Sequence, residues 1–134
     1  MKLVDANVII RYLTRDDQKK AEACRVLLEK TVAGPAPSLF MADIAIAEIV
    51  WVLESVYKLS KDEIKDKLET VLNTPNIDFQ NKDVLTESVV IYATYNIDFI
   101  DAYQAVFAKH RQISDIYSYD TDFDKLAGVS RIEP

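Results

Sequence analysis

Residues 1–13, MKLVDANVIIRYL, decide the fold class. Residues 2–4 form a short apolar stretch that stops at Asp5, and VIIRYL behind it looks like a helix start, so the segment reads as strand, turn and helix. The alternation continues outward. Asp16 and Asp17 offer N-cap chemistry for a helix over about residues 18–31, which AGPAPS ends by gathering Gly34, Pro35 and Pro37. Asp43 can cap an apolar helix reaching about residue 57. Ser60 with Glu63 has capping-box spacing for a helix through Leu72, closed by NTPN. Ile77 and Phe79 alternate with polar neighbours as a short strand, and helices are expected over 83–95 and 98–110. A strand over 113–119, a helical turn in DTDFDKLAG ending at Gly128, and a last strand over 129–132 complete the chain. Short strands separated by helices imply parallel pairing, hence an α/β/α sandwich of three layers around a central parallel sheet.

The 134 residues suit one domain, 1–134, with no repeat or linker. Hydrophobic residues at 49% and charged residues at 28% exclude a disordered chain, and two glycines in all leave room for much helix. The single Cys24 has no disulfide partner, which fits a reducing cytoplasm. MKLVD leads straight into folded-looking sequence, with no signal-peptide pattern. The most apolar stretch, residues 39–53, carries Asp43 and Glu48 and is too short to span a bilayer. A net charge of −6 opposes a broad electrostatic grip on nucleic acid, unless cations neutralise part of that acidity at a site.

Four of the 22 acidic residues do not read as solvated surface. Glu48 lies in DIAIAEIVWVLESVY, whose apolar residues cover nearly the whole helix circumference, so it is expected to be at least partly buried. Asp101 sits between Phe99-Ile100 and Ala102-Tyr103, and neither acid has a Lys or Arg within a helical turn. A buried carboxylate must be neutral, paired or metal-bound. Asp5 and Asp120 each end an expected strand, where ligand sites of open parallel sheets gather. Four converging carboxylates require counter-charge, and an all-oxygen set suits magnesium or manganese rather than zinc.

LVDANVIIRYL, IAIAEIVWVLE, IDFIDAYQA and IYSYDTDFDKL resemble, in order and spacing, the four acidic motifs of PIN domains, and within them the VapC-type toxin ribonucleases. The resemblance covers essentially the whole chain. It implies a PIN-like α/β/α sandwich, cleavage of RNA phosphodiesters dependent on Mg2+ or Mn2+, homodimerisation and a co-encoded VapB-type antitoxin. Asp5, Glu48, Asp101 and Asp120 match the family's acidic positions and are the expected catalytic metal ligands. Asp122 matches a position that is acidic in some members and is expected to ligate through water. Asn7 and Ser118 match polar positions that orient a carboxylate or a metal-bound water. SYD stands where TFD is usual, which keeps the hydroxyl. Arg11 and Arg15 follow the first motif by one and two helical turns and are weakly preferred as contacts to RNA phosphate.

Other readings are weaker. Asp98 is preferred as an N-cap over a ligand. Asp120, Asp122 and Asp124 imitate an EF-hand opening, but Lys125 and Arg131 stand where Gly and an acid are needed. His110, the only histidine, suits a helix C-terminus rather than general base catalysis. Trp51 and the tyrosines are expected in the core or at a homodimer interface rather than as base-stacking platforms. The alternatives to a toxin are a free-standing RNA-processing PIN nuclease, a haloacid-dehalogenase-like phosphotransfer protein, which would want Asp in place of Asn7, or a non-catalytic metal-binding regulatory module.

Overall fold

A computed structural model describes residues 1–134. The chain divides into two compact units, Met1–Lys82 and Asp83–Pro134. The first unit holds β1 (Lys2–Leu3), α1 (Ala6–Thr14), α2 (Gln18–Ala33), β2 (Leu39–Met41), α3 (Asp43–Ser55), α4 (Lys61–Leu72) and β3 (Ile77–Phe79). The second holds almost all of α5 (Lys82–Tyr95), then α6 (Phe99–His110), β4 (Asp115–Tyr117), a 3-10 turn (Thr121–Lys125) and β5 (Ser130–Ile132).

All strand pairing is parallel, as expected. In the first unit β1, β2 and β3 lie in that order, with Lys2 opposite Leu39 and Leu39 opposite Ile77. In the second, β4 pairs with β5, Asp115 opposite Ser130 and Tyr117 opposite Ile132. The strands are shorter than the apolar stretches suggested, β4 by two residues at each end, because residues 113–119 extend beyond their partner β5.

Helix starts follow the sequence chemistry closely. The Asp17 carboxylate accepts from Lys20 N–H at 3.0 Å, and Ser60 with Glu63 forms a complete capping box at α4. Asn76, the last residue of NTPN, takes the left-handed conformation at φ 65°. Its amide donates to the Gly34 and Thr31 carbonyls at 2.8 and 3.0 Å, tying the turn before β3 to the end of α2. Gly128 lies in the turn between the 3-10 segment and β5 at φ 81°, where a side chain would be strained.

In the first unit α1 packs on α2 and α3, and α3 on α4, and Ile9, Met41, Ile46, Ile49, Leu53, Ile64 and Leu68 are fully buried. In the second, Tyr92 is fully buried and meets the Phe99 ring edge-on at 5.9 Å.

Three expectations about α3 are corrected. Glu48 is exposed rather than buried, because Ile44, Glu48 and Trp51 share the solvent face of the helix and the core is made by Ala45, Ile46, Ile49, Val50 and Leu53. Trp51 is accordingly not a core residue. Asp43 is the first residue of α3 rather than its N-cap, a position held by Ala42.

Asp43 is the buried carboxylate of this helix, 9% exposed. It accepts from Asn81 N–H at 3.1 Å and Asn81 Nδ2 at 2.8 Å, while its own N–H donates to Gln80 Oε1 at 3.0 Å. The clamp fixes the start of α3 to the end of β3. Truncation by Asp43→Ala leaves two donors without their acceptor and is expected to destabilise by about 2–3 kcal/mol. Urea unfolding against wild type measures it; a loss under about 0.5 kcal/mol would show the clamp to be dispensable.

Candidate metal centre

In the second unit Asp101 stands in the first turn of α6, half-buried, and Asp120 is the N-cap of the 3-10 turn. One carboxylate oxygen from each of Asp101, Asp120 and Asp122 lies within 4.8 Å of the others. Two of these are sequence-expected ligands and the third is the expected accessory one.

The turn that presents Asp120 and Asp122 is built from consecutive side-chain bonds. Asp120 N–H donates to Ser118 Oγ at 2.9 Å, and Asp122 N–H donates to Asp120 Oδ1 at 2.9 Å. The Ser118 hydroxyl thus accepts from the backbone of Asp120. Arg131 braces the same turn from β5: its Nη1 donates to the Ser118 carbonyl at 3.1 Å, and its Nε to Asp124 Oδ1 at 3.1 Å. Sequence reasoning noted Arg131 only as an obstacle to an EF-hand, because its partners lie on another element.

The electrostatics are those of crowded acids. Burial pushes the Asp101 carboxyl up to about 6, helped by its hydrogen bond with Asp120 and by the charges of Asp120, Asp98 and Asp122. Asp120 is held low by the Asp122 N–H, by that same bond with Asp101, and by the charges of Lys125 and Arg131. Below about pH 6 Asp101 thus holds the proton of the pair while Asp120 stays ionised. Lys125 Nζ pairs with Asp122 at 2.8 Å, an exposed contact that water screens. Asp98 occupies the N-cap of α6, as expected, but its side chain makes no capping bond.

The remaining expected site residues lie in the first unit. Asp5 is exposed at the N-cap of α1 without a side-chain capping bond, and Asn7 is exposed in the first turn behind it. Glu48 is exposed on α3. Arg11 is paired with Asp16 at 3.3 Å, and Arg15 lies over the Tyr12 ring.

Oxygen donors alone, with one acid ready to lose a proton, fit a hard divalent cation. His110, the last residue of α6, is tied to Glu87 at 3.0 Å, and burial raises the Cys24 thiol, disfavouring the thiolate.

A PIN-domain family model matches residues 2–129. The chain belongs to the PIN-domain family. It has the α/β fold of that family, with six helices and parallel strands. Across all 134 of its residues and 97% of the relative, this PIN protein is 28% identical to the VapC ribonuclease of Aquifex aeolicus (strain VF5). No helix of the PIN chain is long and apolar enough to cross a membrane.

The raised Asp101 gives a signed prediction. Its folded value near 6 exceeds the ordinary 3.8, so the folded chain holds that proton more tightly. The stabilising effect is complete below about 4 and is lost as pH rises through 6. Asp101→Asn, whose amide can still donate to Asp120, is therefore expected to melt higher than wild type at pH 7.5 in chelator. The difference should shrink as pH falls toward 4, and a lower melting temperature at pH 7.5 would contradict the crowding.

Proposed function

We infer that this protein is a divalent-metal-dependent endoribonuclease that hydrolyses RNA phosphodiester bonds, the toxin of a VapBC pair. The observation that carries the reading is the Asp101–Asp120–Asp122 cluster in a chain that matches a PIN domain over nearly its whole length. The likeness to a VapC ribonuclease across the full chain supports the toxin assignment. Residues 1–134 act as one PIN domain in this reading, in the cytoplasm, as a homodimer, with a VapB-type antitoxin as partner.

Asp5, Glu48, Asp101 and Asp120 are the ligands we assign to Mg2+ or Mn2+, with Asp122 accessory. A bound cation of this kind activates a water and neutralises phosphate charge. The chain's own residues prepare for that. Asp101 releases its proton to solvent to become a ligand, which makes cation binding weaker below about pH 6. Ser118 and the Asp122 N–H hold the Asp120 carboxylate in one orientation, so little ordering is left for binding. Asn7 follows Asp5 at the start of α1 and is assigned to orienting it. Arg15 is the better candidate of the two arginines for RNA phosphate, since Arg11 already has Asp16.

Purified protein freed of any partner is expected to cut a structured RNA pool with Mg2+ or Mn2+ and not with chelator. Asp120→Asn should lower the rate by about a hundredfold or more, the several kcal/mol that metal-based charge stabilisation supplies. Cleavage that survives in Asp120→Asn would place the activity elsewhere. Cation binding without cleavage under any condition would favour the regulatory module.

A further inference from the structure

The parallel ladder between β4 and β5 runs out of donors just where the acidic turn begins. Along it Ser130 N–H donates to the Ser114 carbonyl at 2.8 Å, and Ser118 N–H to the Ile132 carbonyl at 3.0 Å. A parallel ladder uses every second residue of a strand, so after residues 130 and 132 the next donor from β5 belongs to residue 134, and its acceptor is the Ser118 carbonyl. Residue 134 is proline, which has no N–H to give. The Arg131 side chain takes that place, donating from Nη1 to the Ser118 carbonyl at 3.1 Å.

The same guanidinium holds the other end of the turn. Its Nε and Nη2 donate to the two carboxylate oxygens of Asp124 at 3.1 and 3.3 Å. Asp124 is not one of the three clustered acids, so this grip occupies no oxygen of the cluster. Asp120 and Asp122 lie between the two points of attachment, and a planar fork fixes the spacing of those points. The Arg131 side chain is only 15% exposed, so water screens its contacts little. Arg131 lies beyond residues 2–129, the stretch that the family match covers, and that match gives it no role.

We propose that Arg131 is a positioning residue of the metal centre, which holds Asp120 and Asp122 in place by clamping the Ser118 carbonyl to the Asp124 carboxylate. The proposal rests on the metal-dependent ribonuclease reading. In this role Arg131 touches neither cation nor RNA. Its loss frees the turn, and a cation must then order that turn as it binds, so the effect falls on cation affinity. Once the centre is filled, cleavage proceeds at close to the ordinary rate. A positive charge alone would act differently, by attraction. Lysine supplies that charge from a single point and cannot span both attachments, which separates the two roles.

Mn2+ binding to the full-length protein is measured by calorimetry at pH 7.5 without RNA. Wild type is compared with Arg131→Lys, Arg131→Gln and Glu133→Gln, each checked for folding by circular dichroism. Both Arg131 variants should bind Mn2+ about tenfold more weakly. Glu133→Gln alters only the remaining, exposed contact of Arg131 and should bind as wild type does. In cleavage assays the Arg131 variants should need about tenfold more Mn2+ for half-maximal rate. At saturating Mn2+ their kcat should stay within about twofold of wild type, with KM for RNA unchanged.

Wild-type affinity in Arg131→Lys would overturn the proposal, because charge alone then suffices. So would wild-type affinity in both variants. Failure of both to fold would overturn it too, since Arg131 would then serve the fold and not the centre. In each case the ribonuclease reading stands as long as the wild type binds Mn2+ and cuts RNA. A wild type that does neither removes that reading, and the role of Arg131 with it.

Discussion

Asp101, Asp120 and Asp122 repel one another, and the local structure of the second unit is arranged around that repulsion. Two unit charges at about 5 Å cost roughly 3 kcal/mol at an effective dielectric near 20, comparable to what a buried side chain contributes. The chain meets the cost in three ways. Below about pH 6 Asp101 holds a proton and shares a hydrogen bond with Asp120. The Asp122 N–H of the 3-10 turn points at the Asp120 carboxylate. Lys125 and Arg131 stand close enough to offset part of the negative potential without capping either Asp101 or Asp120. A cation that replaces the proton would complete what these groups do in part.

The fold was legible because its signals are local. Capping residues, Gly and Pro clusters and apolar periodicity placed all six helices to within about two residues, and the order of strands and helices implied the parallel pairing. The site was legible in a different way. Asp5, Glu48, Asp101 and Asp120 were singled out by position and then by resemblance, and the structure brings Asp101 and Asp120 together with Asp122 in the second unit. What misled was the inference from composition to burial. A helix can be apolar on every side and still leave Ile44 and Trp51 in solvent, because hydrophobicity constrains which residues fill the core and not which stay outside it. The acid that α3 does bury is Asp43. Its partner Asn81 lies 38 residues away in sequence, beyond the reach of any local window.

Asp98 shows the same limit on a smaller scale. Backbone geometry makes it the N-cap of α6, as its place in the sequence suggested, yet its carboxylate contributes to the field at Asp101 instead of closing the helix end. Capping preference describes a tendency of residue types. A neighbouring charge that needs to be tuned can override it.

The bracing of Asp120 from β5 also has a consequence in time. Ser118 N–H donates to the Ile132 carbonyl at 3.0 Å, and the Arg131 side chain grips the Ser118 carbonyl. A ribosome makes Asp101, Asp120 and Asp122 before it makes the strand that steadies two of them. A growing chain therefore carries these three acids for a while without the brace that steadies the turn. The turn that presents Asp120 and Asp122 takes its final form only after residues 130–132 have emerged and paired with β4.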